Sequence, residues 1–349
     1  FHAKTPKTPL LAMPDLSARL GLKEILVKDE SKRNGLNAFK WLGVSFAVDR
    51  LMTEMEKTSQ NQAQMTLCTM TDGNHGRAVA RVARERGCRA VIYVPKTMAK
   101  ARREAIEREG AQVIEVNGSY DDAIEEVKSS ALKNKWHLVS DTAWDGYREI
   151  PLDIMAGYAN IFREIDAQHS LRMKHSESIS PISHIILQAG VGGMAAAGAA
   201  WGFLRKSVSC AWAEDLCVVI VEPTDSDCVL ENMKQLREGK GETTLVMCKG
   251  KTESVMSGLN CGMPSTVAWP VLRDISNLFV AIGDDWALRG MRAMHSEGIT
   301  AGECGGAGVG SLLALERTRF AIDKDSTVVC INTEGDTDPE AYRRVVEGP

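Results

Sequence analysis

None of the nine cysteines is spaced as C-x-x-C, and none falls with histidine in a zinc-ligand pattern. Neither a metal centre nor a disulfide scaffold is therefore expected, and reduced thiols in a cytoplasmic protein are the plainer reading. No stretch approaches the roughly 18 apolar residues of a membrane span. A formal net charge of -4 provides no large field to draw nucleic acid or a membrane surface, so any anion this protein holds is held locally. There is no fixed-period repeat and no long low-complexity tract. The chain opens Phe1-His2-Ala3-Lys4 without a methionine, and a natural N-terminal segment, which includes any targeting peptide, is expected to precede it.

What is present suits a globular enzyme: 349 residues, 44% hydrophobic and 25% charged, long enough for two lobes. Short β-branched or apolar runs alternate with longer helical patterns. The candidate strands are EILVKD near residue 24, TLCTMT near 66, AVIYVP near 90, QVIEVN near 112 and HLVSD near 137, then HIILQA near 184, CVVIVEP near 217, LFVAI near 278 and STVVCIN near 326. Amphipathic stretches such as NHGRAVARVARERG and AKARREAIEREG lie between them, each closed by glycine. This alternation predicts an α/β architecture with mostly parallel sheets and a site in the cleft between two lobes. The most regular alternation, residues 66 to 141, reads as a smaller lobe, and HSESISPIS near 175 to 183 reads as a loop.

Three segments carry the chemistry. Asn37-Ala38-Phe39-Lys40 offers an amine, Thr71-Asp72-Gly73-Asn74-His75-Gly76 a polar turn, and Gly190-Val191-Gly192-Gly193 a set of exposed backbone N–H groups. Together they describe a pyridoxal phosphate pocket. Lys40 precedes the helical pattern WLGVSFAVDRLM, so the helix dipole is expected to lower its pKa and favour a neutral amine. A snorkelling surface lysine is the competing explanation. The glycine loop follows a strand and opens a small-residue helix, which suits a phosphate. It also suits a dinucleotide, but the acid expected about 20 residues later is absent from KSVSCAWA, and Glu214 and Asp215 fall in an expected loop. The Asn74 amide is placed to bond the cofactor's ring 3-hydroxyl while neighbouring N–H groups receive a substrate carboxylate, and Asn74 reads equally as a helix cap. Asp72 and Asp141 both end candidate strands, and two such acids suit a substrate with an extra ammonium. The run Thr142-Ala143-Trp144-Asp145-Gly146-Tyr147 reads as a loop with aromatic walls. Two further glycine turns, at residues 257 to 262 and 302 to 306, are candidates to close the site.

The chain resembles the fold type II pyridoxal phosphate enzymes and, within them, is similar to the diaminopropionate ammonia-lyases. Besides the segments above, the resemblance rests on Lys28-Asp29-Glu30-Ser31, Asp141-Thr142-Ala143-Trp144, Gln188-Ala189-Gly190-Val191-Gly192, Val221-Glu222-Pro223, Ala301-Gly302-Glu303 and Thr333-Glu334-Gly335-Asp336-Thr337-Asp338-Pro339. It implies a two-lobed fold, each lobe a mostly parallel sheet flanked by helices. A large cofactor-binding domain would take residues 1–45 and 150–349, and a small domain residues 46–149.

It implies pyridoxal 5'-phosphate as cofactor, with Lys40 the Schiff-base lysine. Phe39, Asn74, Gly190, Val191, Gly192, Gly193, Met194, Glu303 and Thr333 would be cofactor-binding, Asn74 at the ring 3-hydroxyl and Thr333 at the pyridine nitrogen. Lys40, Asp72 and Asp141 would be catalytic, and Asp72, Gly73, His75, Gly76 and Asp141 would meet the substrate. The implied reaction is elimination of 2,3-diaminopropionate to pyruvate and two ammonia, by a homodimer acting on a small amino acid. Lys40 and Asp72 on opposite sides of the substrate would admit both stereoisomers. Serine and threonine dehydratases, which typically carry serine at the position of Asp72, and β-replacement enzymes are the neighbouring alternatives. Asn34, Gly193 and Cys304 depart from the residues common in the family at those positions.

Overall fold

The computed structural model describes residues 5–57, 65–71, 73–117, 120–240, 244–315 and 322–348. Among them the strands are β1 (Leu10–Ala12), β2 (Glu24–Asp29), β3 (Thr66–Met70), β4 (Arg89–Pro95), β5 (Gln112–Val116), β6 (His137–Leu138), β7 (Ile182–Gln188), β8 (Trp212–Pro223), β9 (Leu278–Ile282) and β10 (Thr327–Asn332). The helices are α1 (Pro14–Leu20), α2 (Trp41–Lys57), α3 (Asn74–Glu85), α4 (Lys100–Glu107), α5 (Tyr120–Asn134), α6 (Glu149–His175), α7 (Gly193–Arg205), α8 (Cys228–Arg237), α9 (Trp269–Ile275), α10 (Asp284–Ser296), α11 (Glu303–Leu315) and α12 (Pro339–Val346). No described helix is long and apolar enough to cross a membrane.

The strands form two sheets. One has the order β1-β2-β10-β7-β8-β9, the other β5-β4-β3-β6. All pairings are parallel except β1 with β2. A parallel sheet needs both faces covered, and the strand residues alternate accordingly. Leu26, Ile185, Leu187, Val218, Ile220, Val329 and Ile331 face one apolar cluster. Their neighbours Ile25, Val27, Ile186, Val219, Val221, Val328 and Cys330 face another. In the smaller sheet Leu67, Ile92 and Val94 join the first of these clusters. Cys68, Val91 and Tyr93 pack on Val127 and Ala131 of α5.

The first cluster therefore runs between both sheets, and α2 and α6 cross within it. A Cβ on Gly43 would stand 2.7 Å from the Ile154 carbonyl oxygen, and one on Gly157 would stand 2.5 Å from that of Leu42. The backbones touch at this crossing because neither helix has a side chain there. This contact fixes Lys40, one residue before α2, against Tyr158, one residue after Gly157.

Every strand expected from the sequence is present, with four differences. β1 was unexpected, being only three residues long and lacking a periodic signature. β6 stops at Leu138, so Asp141 lies three residues beyond it in a loop rather than at a strand end. β8 begins at Trp212, so Glu214 and Asp215 are strand residues with exposed side chains, not loop residues. The sequence 302 to 306 is not a free glycine turn, since α11 begins at Glu303. Gly305 and Gly306 let that helix lie against Asn332 and Ala287, where a Cβ would come within 2.2 and 2.7 Å of a neighbouring oxygen.

Candidate active site

The C-terminal ends of β3, β7 and β10 and the N-termini of α2, α3, α7 and α11 converge on one cavity. Strand carboxyl ends open clefts of this kind in α/β folds. From Lys40 to Thr333, most of the expected site residues meet there: Phe39, Lys40, Gly73, Asn74, His75, Asp141, Gly190, Val191, Gly192, Gly193, Met194 and Thr333 all line it. Gly76 and Glu303 do not. Gly76 is a packing glycine, whose Cβ would meet Thr71 Cγ2 at 2.2 Å. Glu303 stands behind the wall, with its carboxylate 3.9 Å from Arg102 Nη2. Asp72 lies outside the described residues.

Lys40 Nζ donates to Asp141 Oδ2 at 2.5 Å. Burial works against the Lys40 ammonium, and the Asp141 carboxylate outweighs it, so the amine is held above the ordinary lysine range. The expectation of a depressed lysine is overturned here. The helix dipole is a partial charge, and a full carboxylate in contact exceeds it. Burial alone would raise the Asp141 carboxyl, and Lys40 holds it well below the usual range. Phe39 and Tyr158, with ring centroids 4.8 Å apart, lie 5.4 and 6.0 Å from Lys40 Nζ. They are the aromatic walls. Trp144 and Tyr147, expected in that role, stack on each other instead, and the Tyr147 hydroxyl donates to Leu138 O and accepts from Ser140 N, bracing the Asp141 loop.

His75 is buried, and its Nε2 donates to the Val139 carbonyl at 2.8 Å. That leaves Nδ1 as a bare acceptor, 3.9 Å from Asp141 Oδ2. Burial lowers its pKa, so the ring stays neutral. Asn74 opens α3 and donates to Glu334 across the cleft. Gln188 Nε2 donates to Cys304 O, Ile331 O and Thr333 Oγ1. A hydroxyl that accepts from Gln188 keeps its own proton to offer the cavity. Cys304 is buried, and burial followed by Glu334 pushes its thiol up, away from thiolate. Asn34 is not on the cavity lining and adopts the left-handed conformation, φ +49°, that asparagine tolerates.

The glycine segment is a cradle. A Cβ at Gly190 would stand 3.0 Å from Cys261 Sγ, and one at Gly192, where φ is +93°, 2.7 Å from Leu272 Cδ1. The loop opens the thirteen-residue α7, whose first N–H groups have no intrahelical acceptor. The sequence alternative of a dinucleotide site fails here. The acid near the end of β8, Glu222, spends its carboxylate on the Val229 and Leu230 N–H groups of α8, at 2.7 and 2.8 Å.

A model of the pyridoxal-phosphate dependent enzymes matches residues 4–334 of the chain. The chain belongs to that family. Its members include the diaminopropionate ammonia-lyase of Escherichia coli strain K12, 39% identical over 99% of this chain and 89% of that protein. The enzyme of the same name from Salmonella typhimurium is 36% identical, over 99% and 90%. A crystal structure of the E. coli enzyme in complex with an aminoacrylate-PLP azomethine reaction intermediate superposes with a TM-score of 0.85, at 38% identity over 99% of this chain and 88% of that one. A threonine deaminase isoform from Solanum lycopersicum shares the fold at a TM-score of 0.78 and 19% identity.

The residues present fit the family's cofactor: an open cradle for phosphate, Lys40 for the aldehyde carbon and a Thr333 hydroxyl whose proton faces the cavity. Sequence reasoning passed over Tyr158 and Arg102 on the lining, whereas the turn at 257 to 262, expected to close the site, does line it from Ser257 to Cys261. Arg102 stands in an amphipathic helix beside Arg103 and Arg108, with nothing local to set it apart. Tyr158 had a signal only in retrospect, as the residue after the glycine that lets α6 touch α2.

Proposed function

We propose that this protein eliminates ammonia from 2,3-diaminopropionate, the three-carbon product then hydrolysing to pyruvate and a second ammonia. The observation that carries the reading is the 2.5 Å Lys40–Asp141 pair facing the glycine cradle. Pyridoxal phosphate, when bound, supplies the electron sink that acidifies the substrate α-C–H bond. Gly190 to Gly193, Met194 and the start of α7 would hold its phosphate, and Phe39, Asn74 and Thr333 would contact the rest of it. Lys40 would take the α-proton as a neutral amine, the form it must also hold to carry the cofactor, after its ammonium proton has gone to water through the open cavity. Asp72 is the second candidate base. Asp141 then faces the β-ammonium, which leaves as neutral ammonia and needs no further proton. His75 and Gly73 border the same space. A carboxylate freed from one cation and offered another selects for charged side chains, because a neutral one leaves it buried and unpaired.

Residues 46–149 are assigned to a small domain carrying α3 and Asp141, and residues 1–45 with 150–349 to a large one carrying Lys40 and the cradle. The protein is assigned to the cytoplasm, in keeping with nine cysteines of which none forms a disulfide. It is assigned a homodimeric state, for which exposed Phe203, Leu204 and Val208 around the end of α7 provide apolar surface to cover.

Pyruvate and ammonia release from D- and L-diaminopropionate, with L-serine and L-threonine alongside, tests the reading. Release from diaminopropionate and little from the hydroxy amino acids is the expected result. Activity on serine or threonine alone would replace it with a dehydratase.

A further inference from the structure

Among the described side chains on the cavity wall that have no part in the reaction so far, Arg102 is the cation. Arg102, on α4, donates through Nη1 to the Ser257 hydroxyl across the cleft, and its Nη2 is 3.9 Å from the Glu303 carboxylate. Its aliphatic stem lies against the polar turn that opens α3, since a Cβ on Gly73 would stand 3.5 Å from Arg102 Cδ. The guanidinium is thus beside the N-terminus of a twelve-residue helix, where the dipole is also positive. Lys40 and Arg102 are the lysine and arginine among the described lining residues. Lys40 is committed to Asp141, and His75 is neutral. The cavity is therefore polarised. Asp141 and the His75 lone pair mark a place for a cation. Glu334 also lines the cavity and accepts from Asn74 at the start of α3, so the place for an anion is the one beside the Arg102 guanidinium.

We propose that Arg102 is a specificity-determining residue that adds a guanidinium contact to the α-carboxylate of the amino-acid substrate. This deepens the elimination reading and rests on it. A carboxylate is a better partner for a guanidinium than the neutral Ser257 hydroxyl, because charge-assisted hydrogen bonds are roughly twice as strong and can be made in pairs. Substrate entry exchanges one acceptor for the other. The bound carboxylate then ties α4 to the ligand, and orients its α-C–H bond toward Lys40.

The test compares 2,3-diaminopropionate with its carboxamide, 2,3-diaminopropanamide, as substrates of the holoenzyme, reading kcat/KM for ammonia release. Wild type prefers the acid. In Arg102→Gln the acid-to-amide ratio falls about 10- to 100-fold, the range one hydrogen-bonded charge supplies. Arg102→Lys, which keeps the charge and loses the fork, retains part of it. Partial misfolding cancels in the ratio, so a residue that merely braces the lobes would lower both rates and leave the preference intact. That result, or a wild type indifferent to the carboxylate, overturns the proposal while the elimination reading stands. A wild type inactive on both compounds overturns the elimination reading and this inference with it.

Discussion

Lys28, Glu30, Arg33 and Glu164 have side chains no more than 2% exposed, whereas Lys40 and Asp141 are each 20% exposed. In the closed network nearly every polar atom is used. Glu164 accepts from Lys28, from two nitrogens of Arg33, from Asn160 and from the Thr8 N–H. Glu30 takes Arg33 Nε and Nη2 and the Thr8 hydroxyl. Two cations balance two anions, and Lys28 and Arg33 also bind the carbonyls of Thr8 and Pro6, clamping the start of the chain to β2 and α6. The open pair has a single short contact and aromatic rings around the ammonium. Saturated charges have nowhere to go and make a frame. A pair with spare donors and a cavity beside it can exchange its partner, which is what chemistry at Lys40 requires.

The sharpest way to break that comparison is to remove one member of each set. Lys40→Ala should lower kcat/KM for diaminopropionate by roughly 10³-fold or more and shift urea stability by only about 1 kcal/mol, since water can reach the orphaned Asp141. Glu164→Ala should do the reverse. It leaves Lys28 and Arg33 with one buried anion between them and should cost about 3–5 kcal/mol, read from denaturant midpoints, while the surviving folded fraction keeps its turnover per active site. Equal stability losses in the two variants would erase the distinction.

A smaller effect sharpens it from a third case, a buried acid with no cation. Glu222 is wholly buried, and burial, opposed by the α8 N–H groups, pushes its pKa up from 4.5 to about 8. A carboxyl raised in the folded state adds stability below its unfolded pKa of 4.5, and that contribution is lost as pH rises toward 8. Glu222→Gln should flatten the fall in stability between about pH 4.5 and 8, measured by denaturation at each pH. An unchanged slope would show that the two N–H groups already keep the carboxylate charged.

Much of the site was readable because its parts are local. A phosphate cradle needs consecutive glycines between a strand and a helix, so Gly190 to Gly193 announce themselves. Lys40 and Asn74 each open a helix whose pattern is visible. The residues that escaped act across the chain. Arg102 meets Ser257 and Glu303 at separations of 155 and 201 positions, and Glu334 meets Asn74 over 260. Trp144 and Tyr147 misled because an aromatic pair near an acid reads the same whether it lines a cavity or braces a loop.

The sequence by itself determined the alternation of strands and helices, the parallel sheets and the position of the cofactor cradle, because each depends on periodicity or backbone freedom within a few residues. Only the tertiary structure decided that Lys40 is paired with Asp141, that Glu222 serves a helix and no nucleotide, and that Arg102 belongs to the cavity. Charge state and partnership depend on distance through space, and the crossing of α2 on α6 sets that distance for Lys40 where no run of adjacent residues can.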